Sequence, residues 1–313
     1  MDIKDDTLYI LVEGEPNSPE VASFRELLSL DINTVNYEFI EIGGSGNFNT
    51  IAKLIYNRVK NRDNSVHKII PVLAIADRDF RRESLNDDSS DSLLIERNKA
   101  KLIYWERHEW ENFLLDELNI ITTFLNQLPI RSLNNKPVKQ VITEITEEFI
   151  DDFLLQYFRD QIQTEFIECI RFRFSDSGKS YPKLKAPKDI IGIESLREWY
   201  RSQIAEQSKQ SNDRIESYST IFDQVLEEYN WKTWIEDPAS LSLEDGKKYF
   251  RGKEAFTNLF KHLSEEFKII YLNENKLKER ILRDLENSKE SILVAQINKL
   301  ISPYLEKTKE ALA

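Results

Sequence analysis

The chain of 313 residues contains one cysteine, Cys169, and three histidines, His67, His108 and His262, at wide spacing. A lone thiol forms no internal disulfide, and these few scattered residues cannot assemble a zinc site of the usual Cys/His kind. Any bound metal would therefore sit on oxygen ligands. Glycine (8) and proline (9) are scarce, which excludes collagen-like and low-complexity architectures. No apolar run approaches the ~18 residues of a membrane-spanning helix. The opening MDIKDDTLYI is acidic, whereas a secretory leader is basic and then apolar. These absences lead us to expect a cytoplasmic protein with no membrane partner. Positive charge is not in excess either: 43 basic residues face 55 acidic ones, a net of −12. That argues against binding nucleic acid by overall charge, but it leaves room for a local basic groove.

What is present is a globular composition, 40% hydrophobic and 31% charged, with a mean hydropathy of −0.51. The length suits about two domains. Residues 1–120 hold 14 basic against 23 acidic residues, while 121–313 hold 29 against 32, so the acid is concentrated at the front. In that front part, period-2 apolar runs alternate with period-3.6 runs, as strands and helices of a parallel sheet do. Strands are predicted at 7–12, 36–42, 67–76 and 101–105. Helices are predicted from Pro16 to Leu30, over 48–60 with Ile51, Leu54, Ile55 and Val59 inward, and from Glu109 onward. GGSGN (43–47) reads as a turn into a helix, and 78–98 as an exposed loop. After Ile120 the pattern is helical: 138–150, 151–170, 194–210, 214–230, 253–268 and 274–310, the last broken near Pro303. The segments 131–137 and 175–193 read as hinges or surface loops. The fold class is thus α/β with a mostly α-helical C-terminal region, divided at 125/126. The five tryptophans and Cys169 read as core.

Two acidic motifs stand at the carboxyl ends of predicted parallel strands, the edge where open α/β sheets place ligands. They are LVEGE, with Glu13, and AIADRDF, with Asp77 and Asp79. Three carboxylates on one edge repel one another, and a hard divalent cation relieves that repulsion while holding phosphate oxygens. Solvated loop acids are the plainer alternative. The densest basic run is Arg171 to Lys188, RFRFSDSGKSYPKLKAPK, with six basic residues and Phe172, Phe174 and Tyr181 among them. It offers phosphate contacts, Lys179 and Lys183 included, and stacking surfaces for unpaired bases. Core phenylalanines with a solvated lysine face are its bland alternative. HEWEN imitates a zinc-protease HExxH but has Asn112 in place of the second histidine. GGSGNF and Gly252-Lys253 lack the spacing of a phosphate loop. Lys253 reads either as a phosphate contact or as a plain helix N-terminal lysine.

The order Glu-Gly after strand one, then Asp-x-Asp after strand three, resembles the Toprim domain of topoisomerases, primases and OLD-type nucleases. IEIGGSGNFNTIAKLI is similar to the strand-turn-helix that follows in that group. RHEWENFLLD (107–116) is similar to the Arg-x-x-x-Glu-Asn-Tyr-Leu signature of Toprim proteins that work with ABC-type ATPases. With GKEAFTNL (252–259), the arrangement resembles the Toprim effectors of the PARIS anti-phage defence system, over about the first 120 residues. The resemblance implies a Toprim catalytic domain over 1–125 and an α-helical region over 126–313 that binds substrate and partner. It implies that Glu13, Asp77 and Asp79 hold one or two Mg²⁺ ions, with Mn²⁺ as a substitute, and that Glu111 is a further ligand or an orienter. Arg107 or His108 would reach a substrate phosphate, a fringe salt bridge being the other reading. The implied activity is nucleic-acid cleavage, RNA such as tRNA before DNA, by a toxic effector restrained by an ABC-type ATPase partner, with a homodimer also open. Two rivals remain: a non-catalytic docking subunit of an ATPase complex, and a metal-dependent DxD glycosyltransferase, which has no need of Glu13.

Overall fold

The computed structural model describes residues 3–4, 6–13, 24–28, 35–60, 72–81, 99–131, 137–138, 144–176, 184, 190, 192–208, 212–269, 273–285 and 291–312. Its sheet has four strands, β1 (Thr7–Val12), β2 (Asn36–Glu41), β3 (Val72–Ala76) and β4 (Lys101–Tyr104), in the order β2-β1-β3-β4 with every pair parallel. All residues of β1 and β3 are buried. Their unbroken apolar runs, TLYILV and VLAIA, are what a parallel sheet covered on both faces requires. The first part of the expected 67–76 strand lies outside the described residues, and Ile42 and Trp105 fall just beyond their strands.

On one face, Tyr9, Leu11, Val72 and Ala74 pack with Phe48, Ala52 and Ile55 of helix α1 (Phe48–Lys60). Of the expected inner stripe, Ile55 is buried while Leu54 is not, and the side chain of Val59 lies outside those described. Ile51 packs only at the margin, and Leu54 is 53% exposed, because the helix is rotated to put Phe48 and Ala52 on the sheet. Tyr56 accepts a hydrogen bond from Val72 N–H at 3.0 Å and so satisfies the first amide of β3. On the other face, Phe24 sits in a helical stretch over 24–27 and meets Phe39, Trp105 and Trp110 at ring-centroid distances of 6.5, 5.6 and 5.7 Å. Most of the expected 16–30 helix lies outside the described residues. GGSGN does turn the chain into α1: Gly43 has φ +79°, a conformation glycine adopts without strain, and Asn47 Nδ2 donates to Ile42 O at 3.0 Å.

The later elements are α2 (Glu111–Leu114), α3 (Leu118–Leu125), the short antiparallel pair β5 (Ile130–Arg131) and β6 (Pro137–Val138), α4 (Glu147–Asp176), α5 (Ile193–Ser208), α6 (Asn212–Leu226), α7 (Trp231–Glu236), α8 (Leu243–Tyr249), α9 (Gly252–Glu266), α10 (Glu274–Leu285) and α11 (Ile292–Leu312). The expected break between 150 and 151 is absent, one 30-residue helix, α4, running from Glu147 to Asp176, while Val138, expected to open the first of these helices, stands in β6. The expected 274–310 helix divides between Leu285 and Ile292, not at Pro303, which lies inside α11. No described helix is long and apolar enough to cross a membrane.

The chain forms two compact units, one of residues 1–145 with 260–313 and one of residues 146–259. This differs from the expected division at 125/126: the last two helices join the sheet unit, where α10 packs on α3 and α11 on α2. The second unit is helical. Phe158, Phe166, Phe222, Trp231, Trp234 and Phe250 make its core, with Cys169 buried among them. Four of the five tryptophans are buried as expected, while Trp199 is half-buried.

Candidate acidic site at the carboxyl edge of the sheet

In the order β2-β1-β3-β4, the chain leaves β1 toward β2 on one side and later returns to β3 on the other. The crevice outside the carboxyl ends of β1 and β3 is thus the topological switch point, where open α/β sheets bind ligands. Glu13 is the first residue after β1 and Asp77 the first after β3. Val12 and Ile75 are register partners, so the two carboxylates leave neighbouring strands almost level. Gly14, the glycine of the Glu-Gly pair, lies outside the described residues.

Asp77 is the electrostatic centre. Burial first, then repulsion from Glu111, Glu109, Asp79 and Glu13, holds its carboxyl well above the usual carboxylate range. Glu13, Asp79 and Glu111, the other candidates from sequence, thus each act on Asp77, and Glu109 joins them. Asp79 closes the turn after β3 with φ +48°, a left-handed conformation that aspartate tolerates, and its N–H donates to His108 O at 2.9 Å. That bond ties the loop after β3 to the loop after β4. Burial raises the Asp79 carboxyl, and Arg81 partly offsets this by a hydrogen bond and its charge. The Arg81 Nη1 to Asp79 Oδ2 distance is 2.7 Å.

Glu111 is buried and is met by a residue no local motif signals, Lys278 of α10, with Nζ at 3.1 Å from Glu111 Oε1 and 3.2 Å from Glu274 Oε1. The ammonium also lies 5.6 Å from the Trp110 ring centroid. Burial alone would lower the pKa of Lys278, but the carboxylates of Glu111 and Glu274 outweigh it and raise the value. The rest of the RHEWENFLLD signature organises its own turn. Arg107 is buried, donates to Asn112 O at 2.9 Å, pairs with Asp116 at 2.7 Å and lies over Phe113. Asn112 Oδ1 accepts from Glu109 N–H at 2.8 Å. Arg107 thus makes the salt bridge that is the other reading of it, and it clamps the helix that carries Glu111. His108 is buried edge-on to Phe80 at 4.5 Å.

Of the basic stretch, the described part is Arg171 to Asp176 with Leu184. Arg173 pairs with Glu228 at 2.6 Å, and Phe174 is 1% exposed and packed 4.4 Å from Tyr218. Arg173 and Phe174 are therefore ion pair and core within the second unit, while Phe172 is half-buried. Lys179 and Lys183 lie outside the described residues. Lys253 is exposed in the first turn of α9.

No protein-family model matches the sequence, and no curated protein matches it.

The groups that repel the half-buried Asp77 are carboxylates, the oxygen ligands that hard divalent cations take. As the side chains stand, no three His, Cys, Asp or Glu residues among those described form a ready cage. Two of the carboxylates are engaged by internal cations, Asp79 by Arg81 and Glu111 by Lys278. Lys278, Glu109, Arg81, Asp116 and Asn112 were not picked out from the sequence. For Glu109, Asn112 and Asp116 a local signal existed, their place inside RHEWENFLLD, and Arg81 directly follows AIADRDF.

Proposed function

We propose that the chain is a metal-dependent nuclease of Toprim type, with Glu13, Asp77 and Asp79 as the residues that hold Mg²⁺ or Mn²⁺. A bound divalent ion would supply an activated water and charge neutralisation on a phosphodiester. The observation that carries this reading is the gathering of Glu13, Asp79, Glu109 and Glu111 about Asp77 at the switch point of a parallel sheet. Carboxylates that raise the pKa of Asp77 make its ionised form a burden on the metal-free fold, so their clustering is more readily explained by a cationic ligand than by stability. Glu111, fixed by Lys278, acts in this reading as an orienter of the acidic edge. The wider role carried over from the resemblance is that of an anti-phage defence effector, RNA-cleaving and restrained by an ABC-type ATPase, in the cytoplasm.

The test is cleavage of labelled RNA and DNA, together with expression toxicity. Glu13→Gln, Asp77→Ala and Asp79→Ala should each abolish both with the fold retained. Mg²⁺ or Mn²⁺ should support turnover, whereas Ca²⁺ should bind without turnover because its loose coordination misplaces the water. Full activity in Asp77→Ala, or activity that survives chelation, defeats the reading. Toxicity retained in Glu13→Gln, with no cleavage of RNA or DNA by the parent, favours the glycosyltransferase alternative.

A further inference from the structure

We infer that Arg81 is an exchangeable counter-cation of the acidic edge: it rests on Asp79 and moves to a substrate phosphate when a divalent ion takes that carboxylate. The inference rests on the functional reading above and adds a substrate-contacting residue to it. Arg81 Nη1 lies 2.7 Å from Asp79 Oδ2, and it also reaches the carbonyl oxygens of Asp77 at 3.2 Å and Arg78 at 3.3 Å. Its guanidinium carbon lies 5.0 Å from the Tyr104 ring centroid, so the side chain is held between the loop after β3 and the end of β4.

The two internal ion pairs of the site differ in a way that decides which can exchange. Lys278 and Glu111 have side chains each 6% exposed, whereas Arg81 and Asp79 are 26% and 39% exposed. A buried pair separates only by stranding a charge away from water. A pair open to solvent is weak and screened, and a dication competing for the same carboxylate displaces it. Once displaced, the guanidinium remains tethered two residues from Asp79, beside the ion. Its planar fork of donors suits a phosphate's oxygens, and a phosphate drawn to the ion would meet it. Both halves of the exchange keep the net charge of the edge low, first without metal and then with metal and substrate bound.

The bland alternative is that Arg81 only clamps the turn through the carbonyls of Asp77 and Arg78. Two readouts on the full chain separate these: the Mg²⁺ midpoint for the rise in melting temperature, and the affinity for a fluorescein-labelled single-stranded RNA in Ca²⁺. The exchange predicts that Arg81→Met lowers the Mg²⁺ midpoint severalfold, because the competitor is gone, and weakens RNA binding about tenfold. Arg81→Lys keeps the charge but loses the fork, so it should hold the parent midpoint and still weaken RNA binding. A lower melting temperature in EDTA with both other readouts unchanged identifies a clamp and overturns the inference, as does movement of only one readout in Arg81→Met. If Arg81→Met does not fold, parent-like RNA affinity in Arg81→Lys overturns it, and weakened affinity with a parent midpoint supports it. A parent protein with no divalent response defeats the site reading and this inference together; a responsive parent with an unaltered Arg81→Met midpoint defeats this inference alone.

Discussion

Asp77 ionises among four other carboxylates, and that sets how the metal-free protein responds to pH. Its folded-state pKa lies above its unfolded value, so between the two the folded state binds more protons than the unfolded chain. Stability then falls as pH rises through that window and levels off above it. In EDTA, the melting temperature of the parent should decline as pH climbs above about 4, the ordinary carboxylate value. Asp77→Asn should remove much of that decline and melt higher than the parent at pH 7. Identical pH profiles for the two proteins would show that the carboxyl is not strained. Lys278 presents the opposite case. Truncating it leaves Glu111 charged and buried, so Lys278→Met should cost about 3–5 kcal/mol by urea unfolding, and the double variant Lys278→Met/Glu111→Gln should recover most of the loss. Equal losses in the single and double variants would contradict a coupled pair.

Among the elements, α4 and α8 approach more closely than side chains on both would allow. A Cβ built at Gly246 of α8 would stand 2.3 Å from Phe158 Cδ2 of α4. Glycine is otherwise a poor choice inside a helix, so its presence here reflects the packing. Gly246→Ala should therefore destabilise the helical unit by about 1–3 kcal/mol, the usual range for overpacking, despite alanine's better helix propensity. A neutral or stabilising result by thermal melting would mean that Phe158 repacks freely. The same scale explains where the sequence reading of the helices went astray. Pro303 removes one amide donor but sits within α11, where the Ser302 hydroxyl donates to Asn298 O at 2.6 Å. Neighbouring side-chain bonds and packing hold the helix through it, which residue-by-residue breaker rules do not anticipate. Leu54 was assigned inward on periodicity alone, yet the residues that α1 buries depend on its rotation against β1 and β3.

For the whole molecule, the last fifty-odd residues belong to the sheet unit, and their helix α10 supplies the cation beside Glu111. Two fragments test this. Residues 144–267 should melt cooperatively alone, because the aromatic core of Phe158, Phe166, Phe222, Trp231 and Phe250 is complete within them. Residues 1–145 alone should not, because α2 and α3 would lose the packing of α10 and α11 and Glu111 would lose Lys278. Circular dichroism melts of the two fragments decide it; a cooperative melt of 1–145 would show that the C-terminal helices are dispensable to the sheet.

The amino-acid sequence by itself determined the four parallel strands, the helix after GGSGN, and the placing of Glu13, Asp77 and Asp79 at strand ends. Each of these is written in short-range pattern: apolar runs of fixed period, and polar residues where a run stops. It did not reveal Lys278, which meets Glu111 across 167 positions, nor that Arg107 turns inward to Asp116, and it left open whether Phe174 is core. Those outcomes depend on which surfaces helices bury after the chain has returned on itself. Tertiary packing alone decided which charges of the acidic edge stand with an internal cation and which repel one another around Asp77.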